Sequence, residues 1–216
     1  MIKMKEKVPY DRFISLCEDA GKRHGNILQW PVGKQPYEYI KSMYQENYPN
    51  GRILDFGCGA KKPLQATVGL SDEYYLTCDS DPSGSFSFAT PDLIPEGEMF
   101  DIIAANQVLE HLSFDDGIDV AITLAKHLKP GGIFQIGVPN TSHPTRYLSS
   151  PVHISPWNYL NLCAIMELAG LDPFFGVRYN KFPAPPFYMR PLVNYLCKTF
   201  RIDWCDSIYV VGKRQK

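Results

Sequence analysis

The chain has 216 residues, 44% of them hydrophobic, with a formal net charge of -1. That length and apolar content fill one α/β domain, residues 1–216, and the near-neutral balance excludes a broad electrostatic attraction for nucleic acid. No apolar run is long enough to span a membrane and the start, residues 1–7, lacks a signal-peptide core, so a cytoplasmic protein without membrane insertion is expected.

In chain order, residues 12–22 read as a short helix and residues 36–47 as a second. In the second, Tyr37, Ile40, Met43 and Tyr44 recur three and four apart on one face, and Pro36 suits the first turn. The loop between them, residues 25–33, carries an exposed-looking Trp30. Trp30 either lines a substrate entrance or covers the edge of the core.

Next comes the apolar run Ile53-Leu54-Asp55-Phe56, opening into Gly57-Cys58-Gly59. Two glycines one residue apart after a buried-type strand let the backbone turn sharply and approach a ligand, because no Cβ intervenes. A dinucleotide fingerprint needs a third small residue three positions on, and Lys62 stands there. Asp55 repels a pyrophosphate but suits an ammonium or a sulfonium.

Residues 74–78 read as a second strand ending at Asp79 and Ser80, one strand-turn-helix-strand step later. An acid there accepts from a ribose diol, or is a turn residue ahead of Asp81-Pro82. A third strand is expected over 85–89 and a fourth over 100–105, the latter ending at Asn106 and Gln107. Ligands bind outside the carboxyl ends of such strands, so these two side chains should face the site. Glu110 and His111 follow, with His111 either a general base or a tie between loops.

A helix over 115–128, a Lys129-Pro130-Gly131-Gly132 turn and a fifth strand over 133–138 come next. The irregular stretch 139–157 is too polar for core and lies at the sheet's active edge, so His143, Arg146 and Tyr147 are candidate substrate contacts. His153 is a base or substrate contact, or it holds the start of a helix over 156–169, with Ser155 as N-cap and Gly170 as terminator. A sixth strand over 173–178 leads to a proline-stiffened segment whose Phe182 and Tyr188 either wall a substrate pocket or pack as an ordinary connection, and residues 207–211 form the last strand. The six cysteines show no Cys-x-x-Cys pair and fall mostly in apolar segments, which points to buried thiols. No Asp/His cluster in the sequence suggests a metal.

The succession ILDFGCG, LTCDSD, FDIIAANQVLEHL, LKPGGIFQIGVPN resembles the class I S-adenosylmethionine-dependent methyltransferases, particularly the type 11 and type 23 domains, over residues 50–178. The resemblance implies a Rossmann-like α/β fold: a seven-stranded, mostly parallel sheet flanked by helices, its last strand antiparallel. It implies residues 1–50 as a helical lid and 179–206 as a substrate-side insertion. It also implies S-adenosyl-L-methionine as cofactor, held by Asp55, Phe56, Gly57, Cys58, Gly59, Asp79, Ser80, Asn106 and Gln107, with His111 and His153 as catalytic candidates. Many relatives carry an acid after the third strand for the adenine amino group. Ala89 stands there, with Asp92 nearby. The expected reaction is methyl transfer, most simply to oxygen, on a small molecule or sugar unit. A protein or RNA acceptor recruited through a partner, a non-catalytic scaffold or sensor, and, weakest, a nicotinamide dehydrogenase are the alternatives.

Overall fold

The computed structural model describes residues 8–180 and 185–216. Its sheet has six strands in the order β2-β1-β3-β4-β6-β5: β1 (Ile53–Phe56), β2 (Tyr75–Cys78), β3 (Phe100–Asn106), β4 (Leu128–Pro139), β5 (Asp172–Tyr179) and β6 (Ser207–Lys213). The first four pair in parallel, and β6 runs antiparallel to both β4 and β5. Since β2 and β3 flank β1 on opposite sides, the strand order reverses there, which opens a crevice at the carboxyl ends of these strands.

Both faces of the sheet are covered, so the central strands are apolar throughout rather than alternating. Leu54, Phe56, Ile103, Ala105, Phe134 and Ile136 pack against α4 (Phe114–Lys126), α5 (Tyr159–Leu168) and α1 (Tyr10–His24). Ile53, Ile102, Ala104 and Ile133 pack with Ile40 of α2 (Pro36–Asn47) and Leu64 of α3 (Pro63–Val68). Strand alternation puts Asp55 on this second face, beside Ile53. No helix among the described residues is long and apolar enough to cross a membrane.

The sheet has one strand fewer than expected. Over 85–89 the backbone makes one isolated parallel bridge, Cys78 to Phe88, in place of a third strand. Ser87 ties to Thr77 through its side chain, and the 3-10 turn Pro91–Leu93 follows at once, so the ladder cannot extend. The expected turn at 129–132 lies within β4, where Gly131 donates to Arg214 and Gly132 accepts from it, so the glycines serve a strand-start irregularity. Helix α5 starts later than expected. Asn158 caps it, in a reciprocal pair with Asn161, while the Ser155 hydroxyl donates to Leu112 O at 2.6 Å. An additional helix, α6 (Arg190–Phe200), lies between β5 and β6.

The N-terminal helix packs on the body of the fold. Helix α1 lies against α5, with Arg23 paired to Glu167, the Tyr159 hydroxyl donating to Gly25 O at 2.9 Å, and Phe13 buried edge-on to Phe114. Trp30 is 8% exposed rather than open to solvent. Its indole donates to His24 O at 3.1 Å, its ring meets Tyr159 edge-on, and it fills the space that a Cβ on Gly176 of β5 would need. This corrects the expectation of an exposed Trp30.

Candidate active site

The carboxyl ends of β1, β2 and β3 bring the first group of residues together. Gly57 has φ +71°, and a Cβ there would come within 2.1 Å of Val108 Cγ2, so only glycine fits between the turn and the loop after β3. Gly59 has φ +59° with open space where its Cβ would stand, which leaves a backbone cradle. Its amide donates to Asp79 Oδ2 at 2.8 Å, and Asp79 Oδ1 accepts from the Asp81 amide at 2.9 Å. Asp79 is thus fixed at the end of β2 beside the turn, while Ser80 is exposed next to it. Phe56 and Cys58 are buried, and burial pushes the Cys58 thiol up to about 12, which leaves it a neutral packing group.

Asp55 sits beneath the turn, 2% exposed. The Tyr75 hydroxyl donates to its Oδ2 at 2.5 Å. Burial pushes the Asp55 carboxyl up to about 7, against the lowering effect of the Tyr75 bond and with a small upward contribution from Asp79. Burial also raises the phenol of Tyr37, with Asp55 next in effect, so α2 delivers Tyr37 to the same acid. Tyr37 and Tyr75 went unnoticed in the sequence because each reads locally as an ordinary helix-face or strand residue.

At the end of β3, Asn106 is buried and its Nδ2 donates to Gln135 at 3.3 Å, while no hydrogen bond reaches its Oδ1. Gln107 turns the chain with φ +59°, unusual without glycine, and its amide donates to Gly137 O at 2.7 Å. The cradle at Gly59, the fixed acid at Asp79, the buried acid at Asp55 and the unsatisfied Asn106 oxygen suit a cationic, ribose-bearing cofactor. They do not suit a pyrophosphate. Lys62 occupies the third-glycine position at φ +44°, and Pro63 begins the short α3 without an amide hydrogen to offer an anion.

A second group gathers beyond β3 and β4. His153 lines a cavity of about 130 Å³ with Gln107, Pro139, Arg146, Ser149, Asp206 and Ser207. Arg146 pairs with buried Asp206 at 3.6 Å. The rings of His111 and His153 lie 5.1 Å apart, and Tyr147 packs on His153 while donating to its carbonyl at 3.3 Å. Glu110 is 1% exposed, and its backbone carbonyl accepts from Ile154 at 2.8 Å and Ser155 at 3.2 Å. Together with the Trp157 indole bond to Leu109 O, these contacts lock the loop after β3 to the loop after β4. In the same place Glu110, His111 and His153 bring three donor atoms within 4.8 Å of one another. Forty-one residues separate the two histidines, so no short spacing pattern reveals the group.

The remaining substrate candidates diverge. The His143 ring lies tilted against Trp204, and burial lowers its pKa. Tyr188 is 70% exposed with its ring against Phe187, and Phe182 lies outside the described residues. Ala89 and Asp92, beside the single bridge, are exposed. A larger cavity of about 530 Å³ opens between β5 and α6, with Arg178, Asn180, Arg190, Lys198, Asp203 and Trp204 among its walls. The Asn140 amide donates to Asp203 and to the Cys205 carbonyl, both at 2.8 Å, which ties the end of β4 to the segment before β6.

Comparison with known proteins agrees with this geometry. The type 23 family described as methyltransferase domain matches residues 32–173. No curated protein matches the sequence. Among solved structures, a SAM-dependent methyltransferase from Archaeoglobus fulgidus superposes with a TM-score of 0.60 at 16% identity, over 82% of this chain and 94% of its own. The Burkholderia thailandensis 1,6-didemethyltoxoflavin-N1-methyltransferase, solved with its substrate and S-adenosylhomocysteine, gives 0.57 at 13% identity over 100% and 94%. The complex of the Haloferax volcanii Trm112 methyltransferase activator with a candidate methyltransferase gives 0.55 at 15% over 96% and 95%. At these identities the likeness is one of fold.

Proposed function

This chain belongs to the methyltransferase domain family of S-adenosylmethionine-dependent enzymes, and from that premise we propose that it methylates an oxygen of a small molecule or a sugar unit. The observation that carries the cofactor placement is the open turn at Gly59, whose amide is held by Asp79 above the buried Asp55. When bound, S-adenosylmethionine supplies a methyl group on a cationic sulfur, so the acceptor oxygen forms its bond to carbon as the carbon–sulfur electron pair leaves with sulfur.

The chain's own residues do the rest. Asp79 accepts hydrogen bonds from a ribose diol while keeping the turn in shape. Asp55, with Tyr75 and Tyr37 around it, provides a low-dielectric negative site for a cationic amino acid moiety. Asn106 and Gln107 stand at the floor of the transfer site. Holding donor and acceptor in line and excluding water can supply about 7–11 kcal/mol of the barrier reduction. His111 and His153 each face a backbone carbonyl through Nδ1, Val152 O and Tyr147 O respectively, and a carbonyl only accepts, so each Nδ1 carries the proton. Each Nε2 is then the ring nitrogen left for a partner other than the backbone. Arg146, with Asp206, positions a polar acceptor in the cavity that His153 lines.

Calorimetric titration with S-adenosylmethionine, S-adenosylhomocysteine and NAD tests the reading. Micromolar binding of the first two, none of NAD, and at least a tenfold loss in Asp79→Ala are expected. Binding of NAD alone would overturn the placement. Cofactor binding without turnover on any sugar, phenol or carboxylate acceptor would instead support the scaffold or sensor reading.

The face of α6 favours a second reading for the acceptor. Leu192, Tyr195, Leu196 and Phe200 are all exposed on it, a surface suited to a partner that presents a protein or RNA acceptor. A stable complex on pull-down, with activity only in its presence, would favour that reading.

A further inference from the structure

We propose that Glu110, His111 and His153 bind one divalent transition metal ion of the zinc type beside the methyl-transfer site. Their donor atoms lie within 4.8 Å of one another, with His111 Nε2 at 4.0 Å from Glu110 Oε1. Metal–ligand bonds of about 2.0–2.2 Å require these atoms to draw together by roughly 1 Å, a movement within side-chain rotation.

Three features separate this group from a chance encounter of polar side chains. First, both imidazoles are oriented from behind: His111 Nδ1 donates to Val152 O at 3.1 Å and His153 Nδ1 to Tyr147 O at 2.8 Å, the arrangement that fixes the tautomer of a ligating histidine and leaves Nε2 for the metal. Second, the backbone of Glu110 is bonded to Ile154 and Ser155, so the loop bearing His153 is held in register with the loop bearing the other two donors. Third, the Glu110 carboxyl is almost fully buried whereas His111 is partly exposed, which gives an oxygen-donor floor and an open outer face. Two imidazoles with one carboxylate prefer zinc, cobalt, iron or manganese over magnesium or calcium, which favour all-oxygen sites. Three protein ligands leave at least one coordination position open, and His153 also lines the cavity shared with Gln107 and Arg146.

The role of such an ion rests on the methyl-transfer reading, although its binding does not. An acceptor hydroxyl on the open position becomes more acidic and gives its proton to solvent water at the His111 side. The oxygen lone pair then forms the new carbon–oxygen bond, and the carbon–sulfur pair leaves on sulfur. The two histidines thus activate the acceptor through the metal instead of taking its proton directly.

The test uses the full chain, without an affinity tag and stripped of metal, titrated with Co²⁺ by visible absorption and with Zn²⁺ by competition. One equivalent per chain, with d–d bands of a low-coordinate nitrogen and oxygen site, is expected. His111→Ala and His153→Ala should each weaken binding at least tenfold, and Glu110→Gln should do the same. S-adenosylhomocysteine affinity, measured on the same samples, should persist in the two histidine variants and certifies that they are folded. No saturable Co²⁺ binding to the wild type, or unchanged binding in the double variant His111→Ala/His153→Ala, overturns the site. Binding of S-adenosylhomocysteine by a wild-type chain that fails to bind Co²⁺ refutes the metal and leaves the methyltransferase reading standing. The reverse result refutes the cofactor placement and leaves the metal.

Discussion

Replacing Asp55 by Asn isolates the energetic cost of a buried carboxylate. In the folded chain burial raises the Asp55 pKa from 3.8 to about 7. The folded state therefore binds that proton more tightly than the unfolded chain does. The resulting stability is fully present below about pH 4 and is lost as pH rises to about 7. At about 1.4 kcal/mol per unit, three units set an upper bound of about 4 kcal/mol, which relaxation of the surroundings reduces to roughly 2. Asn keeps an oxygen for the Tyr75 hydroxyl but brings an amide needing a partner, at a cost of about 1 kcal/mol. Thermal melts of the cofactor-free protein from pH 4 to 8 should then show the variant no more stable than wild type at low pH. It should gain about 1–3 kcal/mol relative to wild type by pH 8, or roughly 2–10 °C in Tm for a chain of this size. The variant should also bind S-adenosylmethionine more weakly, because the negative partner of its cationic groups is gone. Parallel melting curves for the two proteins across this range would refute the reasoning.

Other substitutions separate backbone shape from packing. Gly59→Ala meets no neighbour but adopts φ +59°, so it should fold with a loss of about 1–2 kcal/mol while its methyl group fills the cradle and cuts cofactor affinity at least tenfold in calorimetry. Gly57→Val drives a branched side chain into Val108 and should cost both binding and stability, so full cofactor affinity in either variant would move the site away from this turn. Trp30→Ala should lower stability by about 3–5 kcal/mol in urea denaturation, as for other buried aromatics, and leave the acceptor KM of the remaining folded enzyme unchanged.

The first strand with its glycine turn, the acid ending the second strand, and the fourth and last strands are legible in the sequence because each depends on a few consecutive residues. A run such as Ile53-Leu54-Asp55-Phe56 reads as buried strand from its side chains alone, and Gly57 and Gly59 signal a turn wherever they stand. The missing strand at 85–89 shows the limit of that logic, since Ser and Phe alternate as in a strand but only Phe88 reaches the ladder. Helix α5 likewise begins at Tyr159, because Ser155 is engaged with Leu112 in another loop and is unavailable as its cap.

Composition and short-range pattern alone thus determined an α/β chain with a glycine turn suited to a cationic nucleoside cofactor, since backbone freedom and strand periodicity are local properties. Only the tertiary structure decided that Trp30 is core, that Tyr37 and Tyr75 surround Asp55, and that Glu110, His111 and His153 converge. Each of these depends on where a distant loop or helix returns to the sheet, and that position is set by the packing of the whole chain.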